Sequence, residues 1–340
     1  MGVLSAVNHH SLWGRVQSLW GGTQASPEPE VRRPGASASS VEQRLVDLLE
    51  DWDSALNSPD PRARRAAANA FRTVHMVAGN PRSPEARWLP LVPHLKGAVA
   101  SVVGRRLAEA LRDPDPGVRT AAAETVGELR YAAGAQALCG ALQDTTASVR
   151  FAAVIALAQI GDVGAAPALA HVLSDPDARV RAEAARALGS VASHAAVPSL
   201  MAAMRDTDVE VRRWAIRALA CIGSLASARA LIEALQDRDP EVRSWSALAL
   251  GQLRVQGAVQ ALGAAFKDAS AQARLRDTAE LRRTLIWALG EIRSPAAAPV
   301  LQLALADHSS VVRTAAADAI AKIPACQTTG PDVFCAAGNP

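Results

Sequence analysis

One dipeptide constrains this chain more than any other feature of it. Val-Arg occurs at Arg119, Arg150, Arg181, Arg212 and Arg243, each arginine 31 residues after the last. Leu281-Arg282 and Val312-Arg313 continue the series, again 31 residues apart. The interval from Arg243 to Arg282 is 39, and the eight surplus residues are Ser270 to Asp277. A divergent first copy, Ala63-Arg64, precedes Arg119 by 55, with the extra 24 residues in the Pro-rich stretch Gly79 to Gly97. A fixed period of this size means a stack of one repeated supersecondary unit rather than a set of unrelated domains.

Other columns keep the same phase, and each has a local task. Four residues before the arginine stand Asp60, Asp115, Thr146, Asp177, Asp208, Asp239, Thr278 and Ser309. All are N-cap residue types, whose side-chain oxygen accepts a hydrogen bond from the free N–H groups of the following turn. Pro61, Pro116 and Pro240 follow three of them at the first helical position, where a missing N–H costs nothing. Seven residues after the arginine come Phe71, Val126, Leu157, Leu188, Leu219, Leu250, Leu289 and Ile320, and three further on Leu129, Ile160, Val191, Ile222, Leu253, Ile292 and Ile323. This i, i+3 spacing makes one apolar helical stripe. A shorter helix precedes each, as at Ala165 to Leu173, Ala196 to Met204, Ala226 to Leu235 and Ala296 to Leu305. Composition agrees: the chain is 49% hydrophobic but only 4% aromatic, because alanine carries the apolar count. Alanine favours helices and lets them approach closely, whereas strands want β-branched and aromatic side chains. Two antiparallel helices this short cannot bury their own apolar face, so neighbours must stack into an all-α solenoid of about eight helix pairs.

The motif VRxxAAxALGxIG, present as Val149 to Gly161 and Val180 to Val191, resembles the HEAT repeat. Its length resembles the short subtype named after phycobilisome lyases. The resemblance covers about Val41 to Pro324, implies a right-handed α-α superhelix, and is far more specific for fold than for function. Six residues before the arginine stand Asp113, Asp144, Asp175, Asp206, Asp237 and Asp307. In HEAT proteins such aspartates pair with the repeat arginines within and between units, which here assigns Arg119, Arg150, Arg181, Arg212, Arg243 and Arg313 to a structural ladder. The expected organisation is a flexible segment over 1–40, the repeat solenoid over 41–324 and a disordered tail over 325–340. Within the first segment, Leu4 to Trp20 reads either as a short amphipathic docking helix or as disorder, followed by a Gly-, Pro- and Ser-rich linker.

Core columns repeat in a solenoid, so departures on the exposed face are informative. Positions two, five and nine after the arginine share one ridge of the second helix, and in HEAT-like stacks this ridge lines the concave surface. It begins with small or polar residues, such as Ala121, Glu124 and Glu128, and then breaks the pattern with Trp214, Arg217 and Cys221, Trp245, Leu248 and Gln252, and Thr284, Trp287 and Glu291. Three of the seven tryptophans thus fall on one ridge of three consecutive units. Tryptophan and arginine are the commonest anchors of binding surfaces. The sequence therefore nominates Trp214, Trp245, Trp287, Arg217 and Leu248 as the heart of a recognition groove, with Glu183, Glu291 and Arg213 on its rim. The insertion Ser270 to Asp277 reads as a turn in the unit that carries Trp287, and the one around Asn80 to Pro93 as packing on the first unit.

These observations favour a non-enzymatic scaffold that takes a protein or peptide on its concave face, in the cytoplasm. No cofactor and no metal are expected. Deoxyhypusine hydroxylases resemble this architecture and hold iron through His-Glu pairs just after the repeat arginine, but no His-Glu pair occurs in this chain. Nucleophile elbows, P-loops and HExxH are also missing. A second class is a bilin-lyase-like chaperone that handles a tetrapyrrole, since the repeats resemble those subunits in length and in Val149-Arg-Phe-Ala-Ala-Val154. Nucleic-acid binding is a third class, opposed by a net charge of only +3 and by Glu124, Glu128, Glu183, Glu291 and Asp318 on the ridge. No run of 18 apolar residues exists to span a membrane. Cys139, Cys221, Cys326 and Cys335 lack metal-ligand spacing and read as free thiols of a reducing compartment.

Overall fold

The computed structural model describes residues 50–78, 93–272 and 278–323. The N-terminal segment with its docking helix and linker, most of the first insertion, residues 273–277 of the second and the tail beyond 323 lie outside the described residues. All regular structure among the described residues is helical. It falls into two compact units, Met1–Leu138 and Cys139–Pro340.

In the first unit a helical turn over 50–56 is followed by α1 (Pro61–Ala78), α2 (Pro93–Ala110), α3 (Pro116–Glu128) and the start of the short α4 (Ala135–Ala141). α3 packs on both α1 and α2. Val103, Leu107, Val118 and Val126 are its fully buried centre. Polar bonds join the helices as well: Trp52 Nε1 donates to the Ala67 carbonyl at 2.6 Å, and Thr125 Oγ1 to the Ala68 carbonyl at 2.9 Å.

The second unit repeats one pair. Long helices α5 (Ala147–Ile160), α7 (Ala178–Val191), α9 (Val209–Ile222), α11 (Pro240–Gln252), α13 (Ala279–Ile292) and α15 (Ser310–Ala321) alternate with α6 (Ala166–Val172), α8 (Val197–Ala203), α10 (Ala228–Ala234), α12 (Val259–Ala271) and α14 (Ala298–Leu305). A 3₁₀ turn such as Val163–Ala165 or His194–Ala196 leads into each of these even-numbered helices, so the short helix starts as a tight 3₁₀ turn and widens into α geometry. Leu157, Leu188, Leu219, Leu250 and Leu289 of the long helices and Leu169, Leu200, Leu231, Leu262 and Leu301 of the short ones are all fully buried, each stabilising by about 1.5–3 kcal/mol. Successive long helices pack along their length, whereas successive short helices scarcely touch. The long helices therefore form the inner row of this unit.

Capping follows the sequence only in part. Asp177 accepts from the Arg179 N–H, and Asp208 and Asp239 each accept from the two N–H groups of the next turn; in the first unit Asp115 accepts from Val118. Thr146, Thr278 and Ser309 occupy the same column but make no side-chain cap bond. At Thr146 and Ser309, as in the capped units, the aspartate two residues earlier holds the loop: Asp144 and Asp307 accept the backbone N–H of the cap residue at 2.8 and 2.9 Å. Thr278 is buried, and its hydroxyl donates to the Ala269 carbonyl while accepting from Arg282 at 2.6 Å. At the other end the eleventh residue after the arginine is left-handed. Gly161 and Gly223 adopt φ 74° there, but Ala192, Arg254 and Arg293 carry a β-carbon through the same turn at φ 54°, 49° and 56°.

The arginine column bridges units. Its Nη1 donates to carbonyls of its own preceding loop, as Arg181 does to Asp175 and Pro176. The other edge of the guanidinium grips the carboxylate 25 residues on, in the next unit: Arg150 with Asp175, Arg181 with Asp206, Arg212 with Asp237 and Arg282 with Asp307, at 2.6–2.9 Å through Nε. Arg64 and Asp113 make the same pair in the first unit, where Arg119 reaches the Asp113 and Pro114 carbonyls. Two members of the expected ladder differ. Arg243 bonds the Asp237 and Arg238 carbonyls but enters no ion pair among the described residues; the residue 25 positions on, Asp268, lies inside the lengthened helix α12 rather than in a loop. Arg313, in the last described helix, likewise holds only loop carbonyls.

The eighth residue after the arginine sets how closely long helices approach. A β-carbon on Gly189 would lie 2.9 Å from Ala218 Cα of the next helix, and one on Gly290 would lie 2.8 Å from Ala319 Cα. Gly251 meets Ala288 Cα at 2.9 Å in the same way. Where the column holds alanine, at Ala158 and Ala220, the steps from α5 to α7 and from α9 to α11 are more open. The insertion at Ser270 is also different from a plain turn. α12 runs 13 residues where α6, α8 and α10 have seven, so Ser270 and Ala271 extend the helix, and the Ser270 hydroxyl bonds the Phe266 carbonyl.

Candidate functional site

The solvent face of the inner row carries the nominated residues. Backed by the buried leucine stripe, residues two, five and nine after the arginine point away from the short helices, and Trp214, Arg217, Trp245, Leu248 and Trp287 are all half-buried there. Three of them form one object. The Arg217 guanidinium lies 4.2 Å from the centre of the Trp214 ring, one turn away on α9, and 4.5 Å from the Trp245 ring on α11. The two indoles thus enclose the cation from different helices. The open step at Ala220 gives room for this stack.

Trp287 sits apart from that stack. Its ring lies over Gly251 of α11, close enough that a β-carbon there would come within 2.9 Å of Cζ3. Its other side faces a trough of about 350 Å³ between α13 and α15, shared with Arg283, Val311, Thr314, Asp318 and Lys322. The last helix has Ala315 at the trough, in the column that holds Glu183, Trp214 and Trp245 in three earlier units. Arg283 and Lys322 escaped the sequence reading. Arg283, one residue after the arginine, lies next to the ridge, and Lys322, nine after it, lies on the ridge itself, where its charge was an available signal.

The rim residues are all engaged. Glu183 pairs with Arg186 one turn on. Arg213 binds Glu210 at 2.7 Å, Glu241 at 2.9 Å and Asp239 at 3.2 Å. Partial burial works against the Arg213 charge, but these carboxylates push it above the ordinary arginine range. Glu291 accepts from Lys322 Nζ at 2.7 Å, and this bond holds its carboxyl below the usual glutamate range. A second cavity, about 520 Å³, lies at the opposite edge among Met201, Arg205, Thr207, Glu233 and Arg238. Its charges are tied to each other and to the loops, with Arg205 bonded to Glu233 and Arg238 to the Thr207 carbonyl.

Among the described residues no group of three or more His, Cys, Asp or Glu side chains is placed to hold a metal ion. No described helix is long and apolar enough to cross a membrane. Cys139 and Cys221 are free thiols, and burial together with Asp162 pushes the Cys139 thiol up.

The sequence matches HEAT repeats in overlapping segments, residues 104–189, 141–220, 166–251, 197–280 and 272–333. No curated protein matches it. Among solved structures an engineered protein is similar at 24% identity and TM-score 0.52, over 81% of this chain and 78% of that one. YibA of Escherichia coli is similar at 20% identity and TM-score 0.52, over 86% and 99%. The complex of CpcE and CpcF of phycocyanin lyase from Nostoc sp. PCC7120 aligns at 23% identity over 67% and 90%, with a TM-score of 0.41.

Proposed function

The chain belongs to the HEAT-repeat family, and from that premise we propose that it is a non-catalytic adaptor which holds a protein or peptide segment against its inner row. The observation that carries this reading is the Trp214–Arg217–Trp245 stack on an otherwise small-residue ridge. Large aromatic rings left half-exposed on a rigid row offer contact area at little entropic cost, which is the character of binding anchors. Trp287 and its trough extend the surface by two units. The charged rim is paired within the molecule, so it frames the aromatic strip without forming the one-sign field that a nucleic-acid backbone requires. The division into a 1–40 segment, a 41–324 solenoid and a 325–340 tail is part of this reading.

The test compares proteins retained from a lysate by the full chain and by the Trp214→Ala, Trp245→Ala, Trp287→Ala triple variant, identified by mass spectrometry. Specific partners are expected to be lost from the variant while its far-ultraviolet circular dichroism stays unchanged. Identical retained sets would overturn the reading. Visible absorbance acquired on incubation with a bilin would favour a tetrapyrrole-handling role instead.

A further inference from the structure

We infer that Arg217 is a preformed receptor for one carboxylate, so that the segment bound on the inner row is an extended peptide carrying a single Asp or Glu at this point. This rests on the adaptor reading and names the chemistry of its partner. The guanidinium carbon lies over two indole rings, 4.2 and 4.5 Å from their centres. Its N–H donors lie along the edge of the guanidinium plane. Among the described residues that edge donates no hydrogen bond and enters no ion pair. The other three arginines of this surface differ: Arg186 is paired with Glu183, Arg213 with Glu210, and Arg283 with Glu280.

A guanidinium stays charged at every physiological pH, and its planar fork matches a carboxylate through two parallel hydrogen bonds. Stacking fixes the plane before binding, so little rotamer entropy remains to be lost. The flanking rings also exclude water from the bond that forms. One unpaired cation on a surface whose Glu183, Glu210 and Glu241 are held by Arg186 and Arg213 suits one negative charge rather than a polyanion.

Spacing adds a second mark. Packed helices lie about 8–10 Å apart, so the Trp287 trough, two long helices further on, is roughly 16–20 Å away. An extended chain rises about 3.3 Å per residue. The segment should therefore carry an apolar residue about five or six positions from its acid.

The experiment is selection from a displayed library of random linear dodecapeptides by the full chain, repeated with Arg217→Gln. Recovered peptides are expected to share one Asp or Glu with an apolar residue about five or six positions away. Changing that acid to its amide in a synthetic peptide should weaken binding at least tenfold by fluorescence anisotropy, and Arg217→Gln should remove the preference for acid while keeping the apolar one. The amide substitution tests the point even if the variant folds poorly. Peptides recovered without any acid, or binding the amide form equally well, would overturn the inference and leave the adaptor reading intact. Recovery of no peptide at all would sink both.

Discussion

Two neighbouring steps of the inner row, from α7 to α9 and from α9 to α11, share a period, a leucine core and an arginine bridge, yet they differ in spacing and in exposed chemistry. The first closes on Gly189, whose missing β-carbon lets Ala218 Cα approach within contact. The second carries Ala220 in that column and stays more open, and Arg217 with its two indoles occupies the inner face there. The two steps therefore differ both at the eighth position and in their ridge side chains, Glu183 and Arg186 against Trp214, Arg217 and Trp245. Small residues act here through distance.

The largest test of that comparison concerns the bridges. The Arg212 side chain is only 4% exposed, so Asp237→Ala leaves a buried guanidinium unpaired and should cost about 3–5 kcal/mol. Arg181, at 15% exposure, can be rehydrated, and Asp206→Ala should cost about 1–2 kcal/mol. Urea melts of the two variants side by side measure the difference; equal losses would mean the steps are mechanically alike. Next in size is Gly189→Ala, expected to cost about 1–3 kcal/mol because the obstacle is backbone. Ala220→Gly should lose only the helix-propensity difference of about 1 kcal/mol. If thermal unfolding ranks these two in the opposite order, the eighth position does not set the spacing.

The ends of the two helices give a smaller effect of opposite sign. α7 turns out through Ala192 at φ 54° and α9 through Gly223 at φ 74°. Ala192→Gly should raise stability by about 1 kcal/mol, and Gly223→Ala should lower it by a similar amount, both read from the melting temperature. The smallest effect is electrostatic. Burial raises the Asp206 pKa, but Arg181 and the Asp208 N–H outweigh it and hold the carboxyl below its ordinary 3.8. A depressed folded value means stability that is present above 3.8 and lost as the pH falls through and below it. Asp206→Asn should flatten the fall in melting temperature between about pH 5 and pH 3, and an unchanged slope would assign the acid lability to other carboxylates.

Much of this was readable in advance because it is local. Apolar positions at i, i+3 and i+7 fix which helical face is buried, and the valine before each arginine and the leucine seven after it are buried in every unit from α5 to α11. The aspartates at the N-caps did as their type requires. The threonines and the serine in that column did not; the Thr278 hydroxyl is engaged by the Ala269 carbonyl and Arg282 instead. The lengthening of α12 was missed because Ser270 and Ala271 follow a helix whose end carries no glycine or proline to stop it. The tryptophans and Arg217 stood out as departures from their columns, whereas Arg283, one position off the ridge, and Lys322, on the ridge of the last unit, passed unnoticed.

Period, helix order, core columns and the ridge that bears the tryptophans were determined by the sequence alone, because each depends on contacts within a few turns of one unit. The tertiary structure decided the rest: that each bridging arginine reaches forward to the next carboxylate, that Arg217 is enclosed by rings from two helices, and that Trp287 stands apart over Gly251. Those outcomes depend on the separation and rotation between units. Such rigid-body quantities are set by the sum of small-residue contacts across each step, and no local pattern in one unit encodes them.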